Sequence, residues 1–177
     1  MTTALFGHPS DMDELLKIAK KNNLVVIEDA AQAPGAVYKN SKIGTKADMT
    51  VFSLNVHKHI HSGEGGMVTT NNEDFADRLR LIRNHGEAVV KQKKQNPISN
   101  CFGFNFRLTE IQAVIAIEQL KKIPELLEIR IENANYLSNK LSQLPGIISP
   151  LVQKQCKHVY YVQPFKFKKN IIGCSRE

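Results

Sequence analysis

Apolar residues in the N-terminal part of the chain recur with two different periods. Residues 11–22, DMDELLKIAKKN, carry apolar side chains at the spacing of one helical face, and Ser10 is the predicted N-cap. The run LVVIEDA at 24–30 is short, apolar and β-branched and ends in acid, as a buried parallel strand does. ALFG at 4–7 is interpreted as the end of an earlier strand. Strand, helix and strand in this order predict a right-handed βαβ unit and an α/β fold.

The next elements continue this alternation of strands and helices. MTVFSL at 49–54 and GGMVTT at 65–70 are strand candidates, with a histidine-rich stretch between them. From Glu73 to Arg83 the apolar residues again follow a helical period. Residues 86–102 are polar and form a predicted loop. Because loops of this length usually serve a function, this one is a candidate lid or interface segment.

Two long helices are predicted in the second half of the chain. Residues 109–122 are strongly amphipathic and begin with Thr109 and Gln112 at the spacing of a capping box. Pro124 is predicted to interrupt the pattern, and Glu125–Leu144 forms the second helix. Pro124 is therefore also the predicted joint between two domains.

The remaining sequence predicts part of another unit, and both ends of the chain look cut. HVYYVQPFKFKKN at 158–170 alternates and is rich in aromatic and β-branched residues, which favours one or two strands. At the C-terminus, Ser175 is placed like the N-cap of a helix that does not follow. The N-terminus begins midway through a βαβ pattern. We therefore expect a truncated chain.

Composition narrows the classes of function. With 42% hydrophobic residues in a chain of 177, a globular domain with a real core is expected. No apolar run approaches the ~20 residues of a membrane span, and a signal peptide is not evident, so we expect a cytoplasmic protein without a membrane partner. The net charge of +7 is spread along the chain, which favours a solvated surface over nucleic-acid binding. The three cysteines are too widely spaced for a disulfide framework or a metal knuckle.

The segment FSLNVHKHIHSGEGG at 52–66 holds the candidate chemistry and allows three interpretations. In the first, His57, His59 and His61 share one face of a strand and bind zinc with a fourth position open. The residues that follow break such a strand, and no acid or cysteine joins at ligand spacing. Ordinary polar histidines of a loop are the alternative.

In the second interpretation, the backbone of SGEGG forms a cradle for a phosphate group. Neither GxGxxG nor GxxxxGK[ST] is present, so a nucleotide-binding loop is not supported. A tight turn between two strands explains these glycines better.

The third interpretation combines the lysine of this segment with the acid of the earlier strand. Pyridoxal phosphate needs a lysine amine, a carboxylate for its ring nitrogen, and hydroxyl or amide donors for its phosphate. Asp29 follows an apolar strand, where an α/β sheet presents ligand groups, and Ser53 and Lys58 follow about one strand later. A solvated Lys58 and a helix-capping Asp29 are the alternatives.

Together these segments resemble the DegT/DnrJ/EryC1/StrS family of pyridoxal-phosphate-dependent sugar aminotransferases. The resemblance runs through 6–86, which includes VVIEDAAQA and the histidine segment, and through GFNFRLTEIQAVIAIEQL at 103–120. It implies part of an aspartate-aminotransferase-like large domain, a mostly parallel sheet with flanking helices, followed by the start of a small α+β domain. Residues 1–124 would be the partial cofactor-binding domain, and 125–177 the linker helix and truncated small domain.

The resemblance also assigns roles to five residues. Lys58 would be the Schiff-base lysine and the catalytic residue, and Asp29 would bond the pyridine nitrogen of pyridoxal 5'-phosphate. Gln32 would lie against the ring and its hydroxyl, and Ser53 would hold the phosphate. Asn105, in GFNFR, would reach a phosphate in the neighbouring subunit of a homodimer.

The activity implied by the resemblance is transfer of an amino group, from a donor such as glutamate, to a nucleotide-linked keto sugar for cell-surface polysaccharide or related sugar biosynthesis. The presence of Lys58 favours transamination over the dehydration carried out by relatives that lack this lysine. The alternative is an inactive fragment or an associating subunit, because a phosphate-binding turn and a ring-stacking aromatic residue that the family carries upstream are not found. His85, in RNHG, lies in a recurrent family segment without an assigned role.

Overall fold

A computed structural model describes residues 1–87 and 101–173 of the chain. Most of the predicted loop at 86–102 and the predicted N-cap Ser175 lie outside the described residues. The strands are β1 (Thr2–Thr3), β2 (Ile27–Asp29), β3 (Val37–Tyr38), β4 (Ser41–Lys42), β5 (Met49–Ser53), β6 (Gly66–Thr69), β7 (Ile147–Ile148), β8 (Cys156–Lys157) and β9 (Lys166–Phe167). The helices are α1 (Met12–Lys21), α2 (Glu73–Arg83), α3 (Glu110–Leu141) and α4 (Lys169–Ile172).

The main sheet has the strand order β1-β2-β5-β6, and its first three strands are parallel. β6 pairs antiparallel with β5. Because α1 connects the parallel neighbours β1 and β2, the predicted βαβ unit is present and the α/β fold class is confirmed. A three-stranded sheet, β4-β3-β8, and a two-stranded sheet, β7-β9, accompany the main sheet.

Two local predictions near the N-terminus are wrong. ALFG is not a strand end, because Leu5–Gly7 forms a tight 3-10 turn after β1. Ser10 does not cap α1, since its hydroxyl donates to the Thr3 carbonyl (3.1 Å) and accepts from Thr2 Oγ1 (2.8 Å). α1 therefore begins after Asp11. The helix of residues 73–83 and the strands at 49–54 and 65–70 are confirmed.

The core beside the sheet is built from small side chains. Its buried residues are Ala4, Ala30, Ala33, Ala36, Ile43, Leu127 and Val159. Four alanines let the loop after β2 come close to α3, and Gly35 in this loop has no room for a side chain, because a Cβ there would lie 2.4 Å from Leu127 Cδ1. The core therefore joins β2, α3 and the segment that contains Val159.

Pro124 does not interrupt the helix, contrary to the prediction. α3 runs continuously from Glu110 to Leu141 with Pro124 inside it. An interior proline costs about 3 kcal/mol, yet Ile123 and Leu127 on either side pack against the alanine core. Burying Leu127 alone contributes about 1.5 to 3 kcal/mol, so tertiary packing offsets the local penalty. A domain boundary at this position remains a proposal.

The predicted capping box at the start of α3 is confirmed. Thr109 Oγ1 accepts from the Gln112 backbone N–H (3.3 Å), and Gln112 Oε1 accepts from the Thr109 N–H (3.2 Å). Both bonds satisfy N–H groups that have no partner within the helix.

Removing this cap is expected to destabilise the protein. Thr109→Ala should lower the free energy of unfolding by about 0.5 to 2 kcal/mol, as measured by urea denaturation, because the Gln112 N–H loses its acceptor. Thr109→Ser keeps the hydroxyl and should stay close to the parent protein. Equal losses in the two variants would contradict the role of the hydroxyl.

The C-terminal prediction is confirmed in part. Within 158–170 one strand forms, β9, and it pairs with β7. The preceding residues 158–163 contain no strand but pack beside the turn at Leu5–Gly7, where the Val159 N–H donates to the Gly7 carbonyl (3.0 Å).

No helix within 1–87 and 101–173 is long and apolar enough to cross a membrane.

Candidate active site

Asp29 is the last residue of β2 and lies where the parallel strands of the main sheet end. Its Oδ1 accepts from the Ala31 N–H (3.0 Å), and its carbonyl accepts from the Ala4 N–H (2.9 Å). These bonds hold the carboxylate at the strand end, and within the described residues its second oxygen forms no hydrogen bond. The second carboxylate oxygen is therefore available to accept a hydrogen bond from a ligand.

Gln32 lies in the loop after β2 and is oriented by the N-terminal turn. Its Oε1 accepts from the Phe6 N–H (2.7 Å). Because a backbone N–H can only donate, this bond assigns the oxygen of the Gln32 amide, and its Nε2 remains a donor. Phe6 itself has a positive φ of 58°, so a strained turn presents this N–H to the glutamine.

Asn55 organises the loop that carries Lys58. Its carbonyl accepts from the Lys58 N–H (2.9 Å), its Oδ1 accepts from the His57 N–H (3.0 Å), and its Nδ2 donates to Glu64 (2.7 Å). The Asn55 N–H in turn donates to Ser53 Oγ (3.3 Å), at the end of β5. The Ser53 hydroxyl thus accepts from the loop while its own O–H is available to donate.

The Lys58 amine lies over the ring of Tyr161, with its Nζ 4.5 Å from the ring centroid. Tyr161 is a residue that the sequence reasoning missed. It belongs to HVYY, whose alternation predicted a strand and gave no sign of contact with the lysine. The contact between Tyr161 and the candidate catalytic Lys58 is evident only from the tertiary structure.

The three histidines of this loop have different environments and do not share one face. His57 is exposed, whereas His59 is buried and donates from Nε2 to the Val159 carbonyl (3.0 Å). Burial lowers the pKa of His59 to about 4, and the charges of Arg130 and Lys58 add to this effect. Within residues 1–87 and 101–173, no three His, Cys, Asp or Glu side chains gather as a metal site, so the zinc interpretation is not supported.

The glycines of SGEGG belong to the connection between β5 and β6. The Leu54 N–H donates to the Gly65 carbonyl (2.9 Å), and the Ser62 N–H donates to the Leu54 carbonyl (3.0 Å). Gly63 and Gly65 both have positive φ, at 87° and 150°. These bonds close the loop of residues 54–65, so the glycines belong to the connection between two strands, which is longer than the predicted tight turn.

Asn105 lies apart from the other candidates. It is exposed and forms an isolated antiparallel bridge with Asn84, just after α2. The neighbouring His85 N–H donates to the Phe104 carbonyl (2.9 Å), and the His85 side chain is exposed. Asp29 and Ser53 thus end neighbouring parallel strands, and Gln32 and Lys58 lie in the loops that follow those strands. Within the described residues, Asn105 forms no hydrogen bond to any of these four residues.

Comparison with known proteins identifies the family of the chain. A profile of the DegT/DnrJ/EryC1/StrS aminotransferase family matches residues 1–176. The chain is 42% identical over 164 residues to an uncharacterised protein of Methanocaldococcus jannaschii, covering 89% of this chain and 42% of the relative. It is 39% identical over 163 residues to GDP-perosamine synthase of Caulobacter vibrioides, covering 92% and 43%.

A solved structure shows the same fold. Helicobacter pylori PseC, an aminotransferase involved in the biosynthesis of pseudoaminic acid, superposes with a TM-score of 0.85 at 30% identity, covering 97% of this chain and 46% of PseC. The chain thus spans less than half the length of these relatives. It belongs to the DegT/DnrJ/EryC1/StrS aminotransferase family and has part of that family's α/β fold.

Proposed function

We propose that this chain contributes the cofactor-binding part of a pyridoxal-phosphate-dependent sugar aminotransferase. The observation that supports the proposal is that Asp29 and Ser53 end the neighbouring parallel strands β2 and β5, with Gln32 and Lys58 in the loops that follow. The carboxylate of Asp29 has an oxygen available, and Gln32 and Ser53 each keep a donor. This set of groups fits the ring nitrogen, ring hydroxyl and phosphate of the cofactor.

Each residue has a distinct role in the proposed reaction. Asp29 would keep a proton on the ring nitrogen, Gln32 would donate from Nε2 to the ring hydroxyl, and Ser53 would donate its O–H to the phosphate. When bound, pyridoxal phosphate supplies an electron sink for the carbanion that forms as the substrate carbon loses a proton. Lys58 would hold the cofactor through its amine, and as a free amine it would take up and return that proton as a general base.

The proposed substrates follow from the relatives. A perosamine synthase and an aminotransferase of pseudoaminic acid biosynthesis favour a nucleotide-linked keto sugar as the acceptor, in cell-surface polysaccharide or related sugar biosynthesis. The proposed donor is an amino acid, glutamate. Asn105 is exposed, so we propose that it serves the phosphate site of a second subunit in a homodimer. Residues 1–124 would be part of the large domain, and 125–177 would begin the small domain.

A second candidate function is association without catalysis. The first half of α3 exposes several large apolar residues, among them Ile111 (75%), Val114 (59%) and Ile117 (55%). Exposed apolar side chains on one helix favour contact with another protein surface. In this case the chain would be an inactive fragment or a subunit that only assembles.

Covalent trapping distinguishes the two functions. The purified chain is mixed with pyridoxal phosphate, reduced with borohydride and digested, and the modified peptide is identified by mass spectrometry. We expect the modification on Lys58, because its loop follows Ser53 at the end of β5 and its amine is the proposed attachment point of the cofactor. Lys58→Arg should lose it, whereas Lys42→Arg, which changes an exposed lysine of β4, should retain it.

The opposite pattern would favour association alone. If the modification is spread over exposed lysines and Lys58 carries no more than its share, the chain does not form a cofactor site. The position of the modification, rather than its presence, is therefore the deciding measurement.

A further inference from the structure

The contact between Tyr161 and Lys58 is not a consequence of local chain geometry. A cation within about 6 Å of an aromatic centroid is attracted by the electron-rich face of the ring. The Lys58 Nζ lies within this range, at 4.5 Å, and the two residues belong to segments far apart in the chain. In contrast, the pair Tyr136 and Lys140 (5.5 Å) lies one turn apart on α3, where helix geometry alone brings side chains together.

The backbone of residues 159–161 is held from three sides. The Val159 carbonyl accepts from His59 Nε2 (3.0 Å), which joins the segment to the residue next to Lys58. On the side of α3, Arg130 Nη1 donates to the Tyr160 carbonyl (3.2 Å).

The third side is the turn at Leu5–Gly7, which comes so close that a Cβ on Gly7 would lie 2.9 Å from the Tyr161 nitrogen. The Gly7 carbonyl also accepts from the Val159 N–H (3.0 Å). The same turn orients Gln32 through the Phe6 N–H. The turn at Leu5–Gly7 therefore contacts both the segment that carries Tyr161 and the proposed cofactor ligand Gln32.

We propose that Tyr161 is a positioning residue for Lys58, and this inference rests on the proposed function. Its ring face attracts the amine and holds it beside residues 159–161. In the proposed reaction, the amine of Lys58 becomes an ammonium when it accepts the proton from the substrate carbon, and the same ring face stabilises the charge formed in that step. Tyr161 acts through Lys58 and needs no contact with the substrate.

The test measures the reactivity of the Lys58 amine without any cofactor. Each lysine is labelled competitively with trace acetic anhydride at constant pH, and labelling is quantified by peptide mass spectrometry. The ring covers one side of the amine and attracts it, so loss of the ring should increase Lys58 labelling in Tyr161→Leu by about two- to fivefold. Tyr161→Phe retains the ring face and should restore the parent value.

Two further variants control for structural damage. Tyr136→Leu removes another ring that faces a lysine, Lys140, and should leave Lys58 labelling unchanged. Tyr161→Trp offers a stronger cation-binding face and should lower Lys58 labelling, a change that local unfolding cannot produce. Unchanged Lys58 labelling in Tyr161→Leu, or equal increases in the Leu and Phe variants, would overturn the proposal, as would a Trp variant that increases labelling.

The result is independent of the trapping experiment. If pyridoxal phosphate is not trapped on Lys58 of the parent chain, the proposed function fails, even where the labelling shows that Tyr161 positions the Lys58 amine. If trapping succeeds and labelling is unaffected by Tyr161→Leu, the proposed function stands and the positioning role is wrong.

Discussion

Replacing Leu127 with alanine is expected to lower the free energy of unfolding by about 2 to 5 kcal/mol. Leu127 is 2% exposed and packs in the alanine core against the loop that contains Gly35. Its loss would leave a cavity that small neighbours cannot fill. It would also remove the packing that holds α3 together beyond Pro124, so we expect lower helicity by far-ultraviolet circular dichroism as well.

Leu120 provides a matched control on the same helix. It is 52% exposed, so Leu120→Ala should change the free energy of unfolding by less than about 0.5 kcal/mol in the same urea titration. Similar losses at both positions would mean that Leu127 does not anchor α3 to the core, and the account of Pro124 would then be wrong.

Acidification from pH 7 to pH 5 is expected to destabilise the protein through two buried histidines. Burial lowers the pKa of His59 and of His158 to about 4, from 6.5. The unfolded chain therefore binds protons below pH 6.5 that the folded chain does not yet bind, and stability decreases as the pH falls from 6.5 towards 4. Each histidine should cost about 2 kcal/mol by pH 5.

The hydrogen bonds show why these histidines stay neutral. The Val159 carbonyl requires the proton of His59 on Nε2, and the buried Nδ1 has no acceptor for a second proton within the described residues. His158 accepts from the Tyr160 N–H through Nδ1 (3.0 Å), so protonation there would break this bond. His8, with its ring centroid 5.4 Å from that of His158, also lowers the pKa of His158.

A neutral double variant isolates this effect. In His59→Gln the amide can donate to Val159, and in His158→Asn the amide oxygen can accept from Tyr160. Urea denaturation at pH 7 and pH 5 should show a loss about 4 kcal/mol smaller in the double variant than in the parent protein. Burial raises the pKa of Glu28, which acts in the opposite direction, but Glu28 is common to both proteins. Equal pH dependence would contradict the assignment.

Much of the candidate site was predictable from sequence because its parts are local. Asp29 ends a strand that its own apolar residues predict, and Ser53 and Lys58 lie at the end of the next parallel strand and in its loop. Parallel strands bring such ends together by their topology. The role of Asn105 remains a prediction, since it depends on a second subunit. The domain boundary at Pro124 also remains a prediction, since the contacts within the described residues do not test it.

Tyr161 was not predictable, because its contact with Lys58 joins distant segments. It requires the turn at Leu5–Gly7, the helix α3 and the loop of His59 to meet at one place. Periodicity reports only on residues close together in sequence. HVYY therefore predicted a strand and gave no indication of an aromatic contact with Lys58. The same applies to the histidines, whose spacing suggested one face while folding buried His59 and exposed His57.

The sequence by itself determined the elements whose stabilising interactions are local. Thr109 and Gln112 cap α3 within a single turn, and the apolar strands lie where their composition predicts. Tertiary structure alone decided the local structure at Pro124 and Ser10. Packing against the buried alanines offsets the free-energy cost of a proline inside α3. The Ser10 hydroxyl bonds to the Thr3 carbonyl of β1 and therefore does not cap α1. Tertiary structure also decided which aromatic ring faces Lys58, since that contact depends on the free energy of packing three distant segments together.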